Sequence, residues 1–577
     1  MTAAPGPLGA PAGVATIQPA GTARRSGRWA EAALLGVALV LGLGGFVLTA
    51  LNRTGSSPAQ TVMLGGAFLG LTVLMHLWVR YTAPWADPVL LPAAVALNGI
   101  GLAMIQRLDL AYEVNEQWQF YVGAKQLIWT LLGVILFCAV LFLLRDYRRL
   151  RRWDRWAMWS GLVFLVLPFI PGIGQSINGA RIWIRIGPMS FQPAELSKVL
   201  LAVFFASYLV ANRDNLALAG RKVLWMSLPR ARHLGPLFIV WGVSICVLVL
   251  QKDLGSSVLL FGLFVVVLYV ATDRPSWLLI GAALFLPAAW FAATHLHHVQ
   301  QRINGWLHAT DNAVYNAAGG SWQLLTGMFG MSTGGLMGAG WGKGSPTLVT
   351  FANSDFIFAS LGEELGLTGT LAILMLYLVL IQRGLRTAVS LRDGFGKLLA
   401  VGLSFAIALQ IFVVIGGVTR LIPLTGLTLP FLAYGGSSLL ANWVILALLL
   451  RLSDAARRPA THAPRIIDTA ELPVSLRRRV QDAGADEPAE ETVGSSPSQA
   501  ASPASAGYVD DQRAGQPEAG GYGPPSAAPG NPTNDATPTV FVSQEAPPPP
   551  HTAPDGETLR SSRAPGFSDD SDRRQQP

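Results

Sequence analysis

Residues 301–366 read QRINGWLHATDNAVYNAAGGSWQLLTGMFGMSTGGLMGAGWGKGSPTLVTFANSDFIFASLGEELG. This is the longest break between apolar segments before the C-terminal tail, and it is crowded with Gly, Trp, Phe and Met. Glycine permits close backbone approach and Trp or Tyr suits a membrane interface, so the composition predicts a backbone folded against an amphiphile at the membrane surface. The stretch then enters an apolar segment through Asp355, Glu363 and Glu364. On a continuous helix Glu363 would lie two turns past Asp355, about 12 Å deeper. A charge near mid-bilayer costs roughly 2.5–3.5 kcal/mol, which goes with function or with a buried ion pair.

Working outward, spanning-length apolar windows fall at about 29–51, 61–80, 87–105, 125–144, 157–171, 196–212, 234–250, 255–271, 277–294, 357–382, 398–418 and 431–452. They predict an all-α, polytopic membrane protein of about twelve helices. The whole chain agrees: of 577 residues 51% are hydrophobic and 13% charged, about half the charge of a soluble domain. The first window lacks a cleavage signal and reads as a membrane helix behind a disordered cytoplasmic tip, residues 1–28. With that tip inside, the basic loops at 145–156, 213–233 and 383–397 and the segment after Arg451 all fall on the cytoplasmic side, as the positive-inside rule requires. The net charge of +8 therefore sets orientation and does not indicate nucleic acid. The transmembrane domain spans 29–453, with its large outer loop at 295–356. Residues 454–577, rich in Pro, Ala, Ser and Gly, hold too little apolar surface to fold and read as a disordered cytoplasmic tail. Cys138 and Cys246 both lie in apolar windows and read as small buried hydrophobes.

The outer side carries a few pointed cations: Arg181, Arg185, Lys198, Lys252, Arg302, Lys343 and Arg420. Each alone reads as a solvated or snorkelling residue. As a set beside intramembrane carboxylates they suit a phosphate-bearing lipid head group. In INGARIWIRIGPMSFQPAELSKVLL (177–201), Asn178-Gly179 and Gly187-Pro188 signal turns, and Pro193 with Glu195 marks a helix start. In QKDLGSS (251–257), Asp253 has the position of a helix cap. In TRLIPLTGLTLPFLAYGGSSLLANW (419–443), Pro423, Pro430 and Gly435-Gly436 interrupt the backbone near membrane depth, tolerated only when buried in protein or lining a cavity. The glycine run GGLMGAGWGKG (334–344) lacks the form of a nucleotide loop and follows no strand, although Lys343 could approach lipid phosphate. His295, His297 and His298 read as interface histidines at a helix end, in preference to a metal cluster.

Four strings in this order resemble the SEDS family (shape, elongation, division and sporulation) of RodA, FtsW and SpoVE, and within it an actinobacterial RodA branch. NGARIWIRIGPMSFQPAELSK resembles the family's NGARRWI and FQPSELAK motifs. QKDLGSS resembles QPDLGT with Lys252 in place of Pro, and SDFIFASLGEELGLTG resembles TDFIFAVIGEELGFIG. RLIPLTGLTLPFLAYGGSS is similar to the segment that closes the core. The resemblance covers about 125–453 and leaves two extra N-terminal helices beside a ten-helix core. It implies a glycosyltransferase that polymerises lipid II at the outer membrane face, releases undecaprenyl pyrophosphate and works with a class B penicillin-binding protein. The alternatives are a lipid II flippase, an FtsW-like division paralogue, or a noncatalytic scaffold for the transpeptidase.

That chemistry asks for a base on the attacking sugar hydroxyl and for cations on the departing pyrophosphate. The sequence points to no particular cofactor, and a divalent cation is compatible with the chemistry. The family's acid sits in a DPxGxGYQ string, where an ungapped count here gives Asn316, an amide that cannot serve as a base. The nearest acid, Asp311, is the expected catalytic residue; an Asx-turn cap is its structural alternative. Arg181, Lys198, Lys252, Lys343 and Arg420 are the expected substrate-binding residues. Glu195, Asp253, Asp355, Glu363 and Glu364 have structural or ion-pair roles, with Lys198 and Arg420 as expected partners of Glu363 and Glu364.

Overall fold

The computed structural model describes residues 20–55, 59–114, 122–177, 179–187, 189–213, 222–223, 226–227, 231–317 and 319–458. The N-terminal half carries α1 (Ala20–Thr54), α2 (Ala59–Thr82), α3 (Leu90–Val114), α4 (Val122–Leu143), α5 (Asp154–Val166) and α6 (Pro193–Ala211). Next come α7 (Ala231–Leu250), α8 (Leu254–Thr272), α9 (Ser276–His295), α10 (His297–Leu307) and α11 (Trp322–Gly334). The bundle ends with α12 (Ile357–Ser390), α13 (Gly394–Val418) and α14 (Gly436–Arg457). Ten of these among the described residues are long and apolar enough to cross a membrane. The other two of the twelve expected windows form α5, of 13 residues, and α7, whose apolar part is limited to Gly235–Leu250. The chain is a multi-pass membrane protein.

Local chemistry sets several boundaries. Gln192 is extended and Pro193 opens α6, where a missing N–H costs nothing. The Asp253 carboxylate accepts the Ser256 N–H at 3.0 Å and caps α8. Between α5 and α6 lies an antiparallel meander of β1 (Gly174–Ile177), β2 (Ala180–Ile186) and β3 (Met189–Phe191), with Ile177 opposite Ala180 and Ile186 opposite Met189. Each turn therefore has two residues, as Asn-Gly and Gly-Pro signalled, and Gly179 and Gly187 take positive φ. Asn178 and Pro188 lie outside the described residues.

α3 is the axis of the bundle: its membrane window is buried on every side. α1 packs along it, with Gly42 facing Gly99 so closely that a Cβ on Gly42 would lie 3.1 Å from the Gly99 Cα. The unwound 419–435 segment lies on its far side. A Cβ on Gly101 would come within 2.1 Å of the Leu432 carbonyl. The freed carbonyls there find donors: Asn98 serves Phe431 at 3.0 Å, Gln126 serves Ala433 at 3.1 Å and the Tyr377 hydroxyl serves Pro430 at 2.7 Å. This burial is what irregular backbone at membrane depth needs.

Basic loops gather at one end of the bundle. Arg451 donates to the carbonyls of Thr82, at 2.9 Å, and of Leu141, Arg457 pairs with Asp87, and the Tyr147 hydroxyl donates to Asp393. Two boundaries differ from expectation. Residues 20–28 continue α1, and Arg28 is buried on Glu31 and the Ala86 carbonyl instead of lying in a free tip. α14 continues through 454–457 because Asp454 accepts the Trp85 N–H and pairs with Arg458. Residues 1–19 and the tail from 459, with Arg221 and Arg230 of the basic loop, lie outside the described residues.

Candidate active site

The opposite end carries the motifs. Glu195 and Lys198, one turn apart on α6, form an ion pair of 2.6 Å, and the Lys198 ammonium also donates to Gln410 Oε1 at 2.7 Å. Gln410 on α13 in turn donates to the Thr428 carbonyl at 2.8 Å, so the pair is tied to the unwound segment. Lys198 is 8% exposed and Glu195 3% exposed. At such burial, removing either member would leave the other as an uncompensated charge. A crevice of about 10 Å³ opens beside Lys198, walled mostly by Leu165, Leu201, Leu248, Leu259 and Leu260.

A second string runs from α6 to the 295–356 loop. Gln192 donates to the Asp253 carboxylate at 3.0 Å. Burial raises the affinity of Asp253 for its proton, Glu195 adds to this, and Arg302 opposes it. Arg302, on α10, donates to the Leu424 carbonyl at 3.0 Å. Burial lowers the pKa of Arg302, against the pull of Asp355 and Asp253. Asp355 is pushed up to about 6 by desolvation, which outweighs Arg302. Gly426 sits between these two, since a Cβ there would lie 3.6 Å from Asp355 Oδ2 and 3.8 Å from an Arg302 nitrogen. Motifs near 192, 253, 302, 355 and 424 thus share one end of the bundle.

Glu364 takes an ion-pair role, with a cation other than the expected ones, while Glu363 is held by a backbone N–H and has no ion pair among the described residues. Arg107 on α3 binds Glu364 through Nε and donates to the Gly344 carbonyl at 2.5 Å. Lys198 is held by Glu195. Arg420 is committed to the carbonyls of Trp306 at 2.9 Å and Leu307 at 3.1 Å, while the Trp306 indole donates to the Arg420 carbonyl. Neither expected partner is free for the glutamates. The Glu364 carboxylate also accepts the Gly342 N–H at 3.0 Å, and that of Glu363 accepts the Ser345 N–H at 2.6 Å. α12 begins only at Ile357, so both glutamates lie about 9–11 Å into it, close to the loops and not at mid-bilayer.

The glycine run explains itself here. α12 breaks at Gly366, whose φ is 69°. The N–H groups of Ala339 and Gly340 bond the Glu363 and Glu364 carbonyls, and those of Leu367 and Thr368 bond Gly335 and Leu336. A Cβ on Gly338 would meet the Glu364 carbonyl at 2.2 Å. The glycines therefore serve a protein contact, where an amphiphile contact was expected. Above that contact Lys343 is exposed.

The remaining expected residues are less engaged. Asp311 is exposed and precedes the short helix Asn312–Tyr315 without a side-chain cap. Lys252 is exposed in the turn before α8, at a φ of 62° that the proline of the family motif could not adopt. Arg181 is half-buried on β2. His295 stacks on Phe291 with ring centroids 4.4 Å apart. Among the described residues no group of three or more His, Cys, Asp or Glu is placed to hold a metal.

Residues 88–458 match the cell cycle protein family of FtsW, RodA and SpoVE. The chain belongs to that family. It is 46% identical over 439 residues to the peptidoglycan glycosyltransferase RodA of Mycobacterium tuberculosis, covering 76% of this chain and 93% of that protein. With the peptidoglycan glycosyltransferase RodA of Mycobacterium leprae it shares 45% over 451 residues, 78% of this chain and 95% of the relative. The probable peptidoglycan glycosyltransferase FtsW of Geobacter metallireducens is 32% identical over 372 residues, 64% of this chain and 94% of that protein. The matched stretch begins after α1 and α2, yet α1 reaches its 295–356 loop: Asn52 donates to the Trp341 carbonyl at 2.6 Å and Arg53 to Gly344 at 3.2 Å. In this FtsW, RodA and SpoVE chain, sequence reading missed Arg107 and Gln410 and left Arg302 unassigned. The available signal for Arg107 was an Arg two residues past the end of the 87–105 window, on a helix that runs on to Val114.

Proposed function

We propose that the chain is a peptidoglycan glycosyltransferase that polymerises lipid II at the outer face of the plasma membrane, with both termini cytoplasmic. The observation that carries this reading is the buried Glu195–Lys198–Gln410 chain, set beside Asp253 and Arg302 at the loop end. A family of glycosyltransferases joined to two cations at one end of the bundle, the buried Lys198 and the half-buried Arg302, fits sugar transfer from a lipid pyrophosphate. The greater identity to the RodA relatives than to the FtsW one favours the elongation role.

In the reaction, a sugar hydroxyl of one lipid II attacks the anomeric carbon of the growing strand. The new glycosidic C–O bond forms as the C–O bond to pyrophosphate breaks. Asp311, at the mouth of the outer loop, takes the hydroxyl proton, and undecaprenyl pyrophosphate leaves with the bonding electrons. Lys198 and Arg302 face the charge that grows on that pyrophosphate, which is where fixed cations lower a barrier. Lys252 and Lys343, both exposed, and the half-buried Arg181 draw the head group in. Arg420 fastens α10 to the 419–430 turn and so positions Arg302. The partner is a class B penicillin-binding protein, which cross-links the emerging strand.

The test is turnover of purified full-length protein with lipid II in proteoliposomes. Glycan polymer, retained when a partner transpeptidase carries a dead active site, is the expected result. Lipid II crossing between leaflets without polymer would make the protein a flippase and overturn the proposal.

A further inference from the structure

A cavity of about 270 Å³ opens at the basic end, away from the candidate active site, lined by Asp87, Arg386, Thr387, Ser390, Ala456 and Arg457. Its charge is unbalanced. Asp87, the one acid in the lining, is already bound by Arg457 and lies 3.7 Å from Arg383. The guanidinium of Arg386 has no ion pair or hydrogen bond among the described residues. The Arg383 Nε is buried without an acceptor just behind the wall. Arg28, Arg383 and Arg386 are the cationic neighbours of Arg457. Four arginines thus share two acids, Asp87 and the Glu31 that binds Arg28, which leaves the lining with an excess of positive charge.

The hydroxyls narrow its chemistry. Thr387 donates to the Arg383 carbonyl and Ser390 to the Arg386 carbonyl, each at 2.9 Å, so both turn lone pairs outward as acceptors. The arginines suit a phosphoryl oxygen, and the hydroxyls with Asp87 suit hydroxyl groups beside it. The outward face of α12 next to the cavity is apolar and exposed at Leu371, Met375, Leu378, Leu385 and Val389, a track for acyl chains.

We propose that this cavity binds the phosphodiester of an anionic phospholipid whose head group carries hydroxyls, in the leaflet at the basic end of the bundle. It is separate from the site of sugar transfer. That the leaflet is the inner one rests on the orientation given above. The ligand locks α12 to α14 and to the 83–88 turn from the end opposite the reaction.

Full-length wild-type protein and Arg386→Gln are titrated with phosphatidylglycerol, phosphatidylethanolamine and inorganic phosphate, and bound ligand is counted by native mass spectrometry. Arg392→Gln, a change of an exposed basic residue at the same end but outside the cavity, is the control. Retention of phosphatidylglycerol over phosphatidylethanolamine is expected. Arg386→Gln should weaken it roughly fivefold, the factor matching about 1 kcal/mol per basic side chain, with Arg392→Gln unchanged. Equal loss in both variants, or no preference between the two lipids, would overturn the proposal by reducing it to diffuse surface charge. Binding of inorganic phosphate that displaces the lipid would keep the phosphoryl site and overturn the lipid as its source. Melting temperature of Arg386→Gln separates loss of binding from loss of fold.

Discussion

Removing Arg107 should unfasten the 295–356 loop from α3. Arg107→Met leaves Glu364 buried with one remaining donor, the Gly342 N–H, and leaves the Gly344 carbonyl with Arg53 alone. Breaking one side of a buried pair costs about 3–5 kcal/mol, because the other charge stays desolvated. Adding Glu364→Gln removes that stranded charge yet keeps an oxygen for Gly342. Buried pairs exchanged for neutral residues of similar volume are often close to neutral in stability. The double variant should therefore recover most of the loss, with a coupling of roughly 2–4 kcal/mol in a double-mutant cycle. Chemical unfolding of the four detergent-solubilised proteins, followed by tryptophan fluorescence, measures it. Polymerisation of lipid II by the same samples should remain low in the double variant, since the Arg107–Gly344 tie is still missing. Additive effects, with coupling below about 0.5 kcal/mol, would refute the pairing.

Other expectations concern the site itself. Lys198→Met should cut kcat/KM for lipid II polymerisation by roughly 100-fold or more, the scale of one lost charge-stabilising donor, and Lys198→Arg should restore part of it. Asp311→Asn should abolish polymer while changing unfolding free energy by less than about 0.5 kcal/mol, since the residue is exposed and makes no cap; retained polymerisation would remove Asp311 as the base. Asp355, whose folded pKa is raised to about 6 by burial, favours the protonated folded state. Its contribution is present below its unfolded pKa and is lost as pH rises through about 6. Wild type should lose roughly 1–3 kcal/mol relative to Asp355→Asn between those limits, discounted for the residue's remaining solvent contact. Parallel pH profiles of the two proteins would contradict this.

Much of the fold was legible because bilayer burial writes itself into hydropathy. All twelve windows form helices, and turn chemistry at Gly179 and Gly187 set the hairpins. Asp253 and Pro193 marked helix starts through local rules that need no tertiary knowledge. Pairing over distance was not legible. Arg107 and Glu364 are 257 positions apart, and no local pattern joins them. Lys198 and Arg420 were reasonable partners by charge, but one is consumed by Glu195 a turn away and the other by two backbone carbonyls. The glycine run was misread for a related reason. Its glycines answer a break at Gly366, about one turn into the next segment's charged stretch, where opened carbonyls need close N–H groups.

The most direct measurement is to map where the lipid II head group lies. A lipid II analogue with a photoreactive group on its sugar, irradiated with the full-length protein, should label peptides from 192–198, 301–311 and 338–345. Adducts confined to the basic end, at 83–88, 145–153 and 383–393, would place the head group on the wrong face and contradict the account.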